Sequence, residues 1–264
     1  MHKMPYISIV TPVWNASATV RRTLEALSCQ KASFEHVVYD GGSADNTRDI
    51  VREYAGRYPV RLMEGDNLGV YGNVANAHQT TTGEIMGWIN GDDFYLPYTL
   101  AMVERLFRQH PEIDWITGVP SYYMEGENVW SVQGMTPIYN QASIRWGWHR
   151  AKLLGNLQQE SMFWRRSLYD KVGGDKILRQ YRYAGDFHLW KNFAVYAQLH
   201  TVRTVFSTFT IRHGQFSQIK QREYEGECGI SEYSVNLFII GFIIRRIYSN
   251  LFFKQAIDPK SLIK

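Results

Sequence analysis

Short apolar runs alternate with segments of helical spacing through the first 120 residues, and this alternation constrains the fold more than any other feature. The apolar runs cover residues 6–10, 37–39, 60–63, 85–89 and 114–119. Strands that alternate with helices form βαβ units, which predicts an α/β fold with a mostly parallel sheet flanked by helices. Parallel strands place their carboxyl ends at one edge of a sheet, where open α/β sheets bind ligands. We therefore expect Asp40, Asp92 and Asp93, which follow strand-like runs, to converge at that edge.

Asp92 and Asp93 are adjacent carboxylates that come just after the apolar run 85–89. Two like charges side by side repel each other unless a cation lies close to both. Mg²⁺ and Mn²⁺ suit this role, because they bind carboxylates, waters and substrate phosphates. One interpretation is therefore a site for a metal-bridged nucleotide diphosphate. The other is an ordinary polar turn, since Asn, Gly and Asp are common turn residues, and the pair alone does not decide between them.

The composition argues against several classes of protein. A length of 264 residues with 45% hydrophobic residues suits one large α/β domain, or one domain with a tail. The net charge of +4 permits an anionic ligand or membrane surface, but no basic block or zinc-finger spacing indicates nucleic-acid binding. Cys29 and Cys228 are too few for a disulfide scaffold or a zinc site, which favours a reducing compartment. With no secretory signal pattern and no apolar run of about 18 residues, we expect a cytoplasmic protein.

The second half of the chain has a different pattern. Residues 122–132 predict a hairpin, residues 158–164 an extended segment, and residues 199–213 one or two strands. A helix is predicted to follow Gly185 and Asp186. The eight Trp and seventeen Tyr residues suit a protein that binds rings, and they suit an aromatic core equally well.

Five motifs together resemble one known family. Residues 11–15 (TPVWN), 40–47 (DGGSADNT) and 90–93 (NGDD) resemble the nucleotide-binding half of the family-2 inverting glycosyltransferases, which have the GT-A fold. Residues 159–166 (QESMFWRR) and 185–190 (GDFHLW) resemble the acceptor half of the same family. The resemblance implies a catalytic domain at residues 1–215, with a nucleotide-sugar half at about 1–120 and an acceptor half at 121–215. Residues 216–264 would then form a helical, partly apolar and basic tail.

The resemblance implies roles for five residues of the donor half. Asp40 would accept a hydrogen bond from the nucleotide base, which is typically uracil in this family, and Pro12 and Asn15 would lie along the nucleotide. Asp92 would contact the ribose. Asp93 would coordinate the Mn²⁺ or Mg²⁺ that bridges the diphosphate, so that the leaving group is stabilised as negative charge builds up.

The acceptor half carries three further candidates. The resemblance makes Asp186 the catalytic base, whereas its position also suits a cap for the helix that follows. Glu160 either contacts the acceptor or leaving group, or forms an ion pair with a neighbouring arginine. His213 stands at a predicted strand end, where it either reaches the metal or diphosphate or serves as a structural histidine.

Three positions depart from the family pattern. Many relatives carry Asp where Gly41 and Asn90 stand, and many carry Glu where Gly185 precedes the proposed base. Residues 141–146 are similar to the Gln-x-x-Arg-Trp motif of processive synthases, but the spacing is one residue too long and the segment precedes Asp186. We therefore expect an enzyme that adds a single sugar to a glycan or lipid-linked acceptor, as in polysaccharide biosynthesis, with a UDP-sugar as the favoured donor.

Other interpretations stay open at this point. Residues 69–72 predict either a lid over the donor or a plain loop, and not a dinucleotide fingerprint. The segment 231–254 combines apolar and basic residues, which suits a helix at the inner membrane surface or one that packs on the domain or on a second subunit. One alternative function is that of a sugar nucleotidyltransferase, but this chain lacks the basic phosphate loop that such enzymes usually have. Another is that of a non-catalytic nucleotide-sugar or glycan-binding protein, but such a protein does not need a base such as Asp186.

Overall fold

A computed structural model describes residues 6–127, 129–134, 136–150, 153–229 and 257. Its centre is a seven-stranded sheet with the order β10-β6-β9-β4-β1-β2-β3. These strands are β1 (Ile7–Val13), β2 (Phe34–Asp40), β3 (Val60–Glu64), β4 (Ile85–Trp88), β6 (Trp115–Thr117), β9 (Phe163–Arg165) and β10 (Leu199–Thr201). Every pairing in this sheet is parallel except the two that β9 makes with β4 and β6. The predicted mostly parallel sheet is confirmed.

Helices cover both faces of this sheet. They are α1 (Val20–Ser28), α2 (Thr47–Arg52), α3 (Gly69–His78), α4 (Thr99–Gln109), α5 (Gln141–Arg145), α6 (Arg166–Val172), α7 (Gly174–Gln180), α8 (Gly185–Tyr196), α9 (Phe216–Ile219) and α10 (Gln221–Glu227). One apolar cluster packs α1, α2 and α4 on one face, and a second packs α3, α6, α7 and α8 on the other. Burial of these two apolar layers is the main driving force for the fold.

The chain changes direction along the sheet between β1 and β4. From β1 it proceeds to β2 and β3 on one side, and then returns to place β4 on the other side of β1. Such a switch point opens a crevice at the carboxyl ends of the two central strands. Residues 11–15 include the end of β1 and residues 90–93 follow β4, so the two segments meet at this crevice.

A smaller sheet borders the same edge, with the order β5-β11-β7-β8. Its strands are β5 (Phe94–Tyr95), β7 (Ser121–Met124), β8 (Val129–Val132) and β11 (Ser207–Ile211). The antiparallel pair of β7 and β8 confirms the predicted hairpin. Strand β11 confirms one of the strands predicted within 199–213, and β10 in the large sheet is the other.

Two local predictions were wrong in part. Residues 69–72 are not a loop, because α3 begins at Gly69, where Asn67 Oδ1 accepts a hydrogen bond from the Gly69 amide at 3.0 Å. The segment 158–164 is not fully extended, since Gln159–Ser161 form a turn of 3₁₀ helix before β9. Hydrophobic periodicity does not detect either feature, because it does not fix the residue at which a short helix or turn begins.

Most of the large aromatic rings belong to the core. Trp88, Trp115, Trp164 and Trp190 are each at most 2% exposed, and Trp190 stacks between Trp88 and Trp115 with ring centroids 5.8 and 5.9 Å away. These contacts decide the open question about aromatic content in favour of a core for these four residues. Trp14 is 59% exposed and lies at the crevice instead.

The end of the chain is described only in part. Helices α9 and α10 follow β11, and Ile257 forms a parallel bridge with Val202 just beyond β10. The segment 231–254, for which a membrane-surface helix was predicted, lies outside the described residues. Within the part of the chain that the structure describes, no helix is both long and apolar enough to cross a bilayer.

Candidate active site

A cleft of about 500 Å³ opens at the switch point. Its walls come from the ends of β1 and β4, the 3₁₀ turn before β9, the head of α8, and the segment from Arg212 to Glu225. The predicted site residues that line it are Pro12, Asn15, Asp92, Glu160 and Asp186. The fold therefore brings together residues from four separate parts of the sequence.

Asp92 presents its carboxylate to the cleft, where it forms an ion pair with an arginine. Arg212 donates to Asp92 Oδ2 from Nη2 at 3.2 Å and from Nε at 3.3 Å. The backbone carbonyl of Asp92 accepts a hydrogen bond from Arg22 Nη2 at 2.9 Å. Arg22 also lies over the rings of Phe94 and Tyr123, with its Cζ 5.4 and 5.3 Å from their centroids, so the turn that carries Asp92 is fixed to the smaller sheet.

Asp93 faces the interior instead of the cleft. It is 0% exposed, and its Oδ1 accepts a hydrogen bond from the Thr210 amide at 2.7 Å. Its Oδ2 accepts from Asn90 Nδ2 at 3.3 Å. The acidic side chain of this turn that lines the cleft is that of Asp92, and Asp93, for which a metal on the diphosphate was predicted, is not among the lining residues.

Asp93 and Glu160 form a buried carboxyl pair that is joined by a hydrogen bond. Burial, together with the charges of Asp186 and Asp92, raises the pKa of Glu160 to about 8. Burial, Glu160 and Asp92 likewise raise the pKa of Asp93 well above its usual range. Two carboxylates in contact cannot both be charged without a large penalty, so the pair holds a proton at neutral pH. The predicted alternative, an ion pair of Glu160 with a neighbouring arginine, is wrong, since Arg165 pairs with Glu84 and Arg166 donates to the Gly83 carbonyl and Thr81 Oγ1.

This pair has a consequence for stability. The pKa of Glu160 is about 8 in the folded protein, whereas its ordinary value is 4.5. Between these two pH values, Glu160 is protonated in the folded protein and charged in the unfolded chain. Stabilisation by Glu160 is therefore complete below pH 4.5 and is lost as the pH rises toward 8. We expect Glu160→Gln to gain stability relative to wild type by about 1.4 kcal/mol for each pH unit in that window. Urea unfolding at several pH values tests this, and a stability difference that is constant with pH would contradict it.

Asp40 is the last residue of β2; it is fully buried and is not among the residues that line the cleft. Its Oδ1 accepts hydrogen bonds from the Gly42 and Ser43 amides at 3.0 and 2.8 Å and from Arg48 Nε at 2.9 Å. Burial acts to raise the pKa of Asp40, but the Ser43 and Arg48 contacts outweigh it, so the pKa is lowered and the group is charged. Its Oδ2 is buried and has no hydrogen-bond partner among the described residues. A charged oxygen in that state is an acceptor that is ready for a ligand donor.

Asn15 holds the loop after β1 against the loop after β2. Its φ of 49° is in the left-handed region, which Asn tolerates better than most residues. Its amide donates to Ser43 Oγ and its Oδ1 accepts from the Ala44 amide, both at 2.8 Å. Asn15 thus fixes the wall of the cleft that carries Pro12 and Trp14.

Asp186 lies in the first turn of α8, where it faces the cleft. The apolar residues Leu189, Trp190 and Phe193 bury one side of this helix, which leaves Asp186 on the cleft side. The Tyr71 hydroxyl is 2.8 Å from Asp186 Oδ1. Burial raises the pKa of Asp186 to about 6, although the Tyr71 hydrogen bond opposes this rise. A carboxyl with such a pKa is suited to take a proton near neutral pH.

Helix α8 receives its N-terminal cap from another part of the chain. Ala184, the residue before the helix, has no side chain that could cap it. The Glu227 carboxylate of α10 accepts hydrogen bonds from the amides of Arg182, Tyr183 and Ala184 at 3.1, 2.9 and 2.8 Å. A negative charge at a helix N-terminus is stabilising, so α10 fixes the head of α8.

The segment after β11 contributes residues to the cleft that were not predicted from the sequence. Residues 216–264 were predicted as a helical tail without a site residue, yet Lys220 and Tyr224 line the same cleft as Asp186. His213 is exposed and is not among the cleft residues, whereas its neighbour Arg212 is. Both residues follow β11, and the one that reaches the cleft is Arg212 instead of the predicted His213.

The cleft has the oxygen donors that a hard divalent cation needs, although no group of three metal-binding side chains occurs among the described residues. Asp92 supplies a carboxylate, and Asn90 lines the cleft beside it. The Asn90 Nδ2 donates to Asp93 and to Gln159 Oε1 at 3.3 Å each, which leaves the amide oxygen on the other side. Mg²⁺ is often bound by one or two protein ligands with substrate phosphates and waters, so these residues fit such an ion.

Comparisons with known proteins agree on one family. The family model described as glycosyl transferase family 2 matches residues 8–180. An uncharacterized protein of Mycobacterium tuberculosis is 30% identical over 112 residues, which are 40% of this chain and 32% of that protein. A PGL/p-HBAD biosynthesis glycosyltransferase of the same organism is 27% identical over 191 residues, which are 69% of this chain and 67% of that protein.

Solved structures share the fold. Residues 1–349 of Staphylococcus aureus TarS superpose with a TM-score of 0.63 at 16% identity, covering 91% of this chain and 71% of that one. In the complex of TarS with UDP-GlcNAc the TM-score is 0.60, and this chain spans only 60% of that structure. A mannosyltransferase of Pyrobaculum calidifontis in complex with GDP-Man and Mn²⁺ has a TM-score of 0.59 at 15% identity, covering 95% and 71%. The fold predicted from the resemblance is therefore confirmed as that of the GT-A glycosyltransferases.

Proposed function

Because this chain belongs to glycosyl transferase family 2, we propose that it moves one sugar from a nucleotide-sugar donor to a hydroxyl of an acceptor, with inversion at the sugar carbon. The observation that carries the proposal is the position of Asp186, a carboxyl with a pKa of about 6, in the same cleft as Asp92 and Arg212. A base for the acceptor and charged groups for the leaving diphosphate are the two requirements of direct displacement.

The donor side of the cleft supports a nucleotide diphosphate. We assign the base contact to Asp40, whose unpaired Oδ2 would accept an N–H of the nucleotide base. Pro12 and Asn15 form the adjoining wall. Similar folds have been solved with UDP-GlcNAc and with GDP-Man, so the fold accommodates more than one nucleotide sugar. A UDP-sugar stays our favoured donor.

The diphosphate is assigned to Asp92 and Arg212. We propose that Asp92, with Asn90 beside it, holds Mn²⁺ or Mg²⁺ in place of the Asp93 site that the resemblance implied. Such an ion neutralises the charge that builds up on the leaving diphosphate. Arg212, which pairs with Asp92 here, carries a positive charge to the same place and can donate to phosphate oxygens in a bidentate manner.

The reaction then needs one proton transfer. Asp186 accepts the proton of the acceptor hydroxyl as that oxygen bonds to the sugar carbon. The bond from the sugar carbon to the diphosphate oxygen breaks on the opposite face, and the nucleoside diphosphate leaves with the electron pair. Asp186 ends the step protonated and returns its proton to water. A single carboxylate base suffices for this inverting displacement.

The proposal extends to the acceptor and to the location of the protein in the cell. We propose a glycan or lipid-linked acceptor at the cytoplasmic face of the membrane, in the assembly of a polysaccharide or glycolipid. The relative from Mycobacterium tuberculosis named for PGL/p-HBAD biosynthesis supports a role of this kind. Binding to a membrane through the segment 231–254 and formation of a homo-oligomer stay proposals that this segment's apolar and basic composition suggests.

Calorimetric titration with UDP, GDP, dTDP and CDP, each with and without Mn²⁺, tests the donor site. We expect one nucleotide to bind at least about tenfold more tightly than the others when Mn²⁺ is present, because the base contact and the ion act on the same ligand. The corresponding nucleotide sugars are then screened for transfer. Absence of binding for all four nucleotides would contradict the proposed function.

A further inference from the structure

The head of α8 has no room for a side chain at position 185. A Cβ atom on Gly185 would lie 2.6 Å from Cγ and 2.8 Å from Cδ1 of the Tyr71 ring, which is closer than such contacts allow. The ring also packs edge-to-face on Trp88, with centroids 6.2 Å apart. An aromatic ring from α3 therefore occupies the space beside Asp186.

The Tyr71 hydroxyl has two acceptors within reach but only one hydrogen. It lies 2.8 Å from Asp186 Oδ1 and 2.9 Å from the backbone carbonyl of Tyr183. When Asp186 is charged, the hydroxyl donates to the carboxylate, because a hydrogen bond to a charged group is the stronger one. When Asp186 carries a proton, the hydroxyl can turn its hydrogen to the Tyr183 carbonyl, so that it stays paired in both states.

We propose that Tyr71 is a positioning residue for the sugar transfer, holding the Asp186 carboxylate toward the acceptor and favouring its charged form. The inference rests on the proposed role of Asp186 as the base. In the transfer step the O–H bond of the acceptor breaks and an O–H bond forms on Asp186, while Tyr71 keeps its own proton. Burial and the charge of Asp186 raise the pKa of Tyr71 well above 10, so its hydroxyl is a donor throughout the working range.

The other groups that face Asp186 do not take this role. Tyr224 and Cys228 from the region of α10 and Glu160 from the 3₁₀ turn interact with Asp186 through charge. The pKa of Glu160 is about 8, so Glu160 is uncharged while Asp186 titrates near 6. Tyr71 is the side chain whose hydrogen bond lowers the pKa of Asp186.

The chain contains a second copy of the same local arrangement, which provides a matched control. Helix α7 also begins with Gly-Asp, and a Cβ atom on Gly174 would lie 2.3 Å from the Tyr169 ring. The Tyr169 hydroxyl donates to Asp175 Oδ1 at 2.7 Å. Neither Tyr169 nor Asp175 is among the residues of the cleft. If the tyrosine only stabilises a helix start, then removing either hydroxyl should have the same effect.

The experiment compares Tyr71→Phe with Tyr169→Phe. The pKa of Asp186 is read from the carboxyl ¹³C resonance, assigned with Asp186→Asn, and kcat and the donor KM are measured across pH. In Tyr71→Phe we expect the pKa of Asp186 to rise by about one unit and kcat at pH 6.5 to fall about threefold, because a smaller fraction of Asp186 is charged, with the donor KM changed less than about twofold. Tyr169→Phe should lose about as much thermal stability as Tyr71→Phe. It should leave the pKa of Asp186 and the pH profile of kcat unchanged.

A second variant approaches the same contact from the glycine. Gly185→Ala should displace the Tyr71 ring and raise the pKa of Asp186 in the same direction, although the hydroxyl is still present. An unchanged pKa of Asp186 in Tyr71→Phe, or an equal shift in Tyr169→Phe, would overturn the proposal. A shift of the resonance in a protein that transfers no sugar would instead refute the proposed function while leaving the Tyr71 contact established.

Discussion

Replacing Asp92 with Asn should lower kcat/KM for the nucleotide sugar by about a thousandfold, with Mn²⁺ present. The change removes the charge of the one acidic side chain of the 90–93 turn that lines the cleft. It also leaves Arg212 without its ionic partner. We therefore expect weaker binding of the nucleoside diphosphate and loss of its dependence on Mn²⁺, both of which calorimetry measures.

Asp93→Asn is the matched control for this prediction. Asp93 is buried, its pKa is raised by burial and by Glu160, and its Oδ1 accepts from the Thr210 amide. An asparagine keeps that acceptor and the shape of the side chain, so kcat/KM should fall by less than about tenfold. A large loss of Mn²⁺-dependent binding in Asp93→Asn, with little in Asp92→Asn, would restore the original assignment of the metal to Asp93.

Asp186→Asn should reduce the rate of sugar transfer by a factor of about 10² to 10⁴. The variant keeps the shape of the side chain but cannot accept the proton of the acceptor hydroxyl. Nucleoside diphosphate binding should be nearly unchanged, because the diphosphate is assigned to Asp92 and Arg212. The wild-type rate should fall as the pH drops below about 6, where Asp186 becomes protonated, and this limb of the profile should be absent in the variant.

Asp175→Asn tests whether a loss of activity comes from the helix start alone. Asp175 has the same place in α7 that Asp186 has in α8, with a tyrosine hydroxyl donating to it. It lies outside the cleft, so the transfer rate should stay within about twofold of wild type while the melting temperature falls. Full transfer activity in Asp186→Asn would remove the proposed base from the mechanism.

The local pattern of the sequence was sufficient for the order of most strands and helices. Apolar runs and helical spacing depend on neighbouring residues, so β1, β2, β3, β4 and α8 lie where they were predicted. The positions of Asp40 and Asp92 at strand ends followed from these elements and from the parallel topology. The helix predicted to follow Gly185 and Asp186 begins at Gly185 instead, so Asp186 lies in its first turn and not before it.

Only the tertiary structure decided which of two adjacent aspartates faces the cleft. Both stand in one short turn, and the sequence contains no signal that separates them. Asp93 faces inward because the Thr210 amide of β11 and the Glu160 carboxyl meet it there, and Asp92 faces outward toward Arg212. These partners come from the second half of the chain, and Arg212 is 120 residues away from Asp92.

The side chains that surround Asp186 could not be predicted from the sequence either. Residues 69–72 were predicted as a loop or lid, yet they begin α3 and bring Tyr71 to Asp186 across 115 residues. Glu227, in the segment that was predicted as a helical tail, caps the head of α8. Hydrophobic periodicity determines which segments become helices and strands because it is a local property. The contacts between side chains in the cleft join residues that are distant in sequence. They depend on the packing of the two apolar layers, which holds these segments against each other.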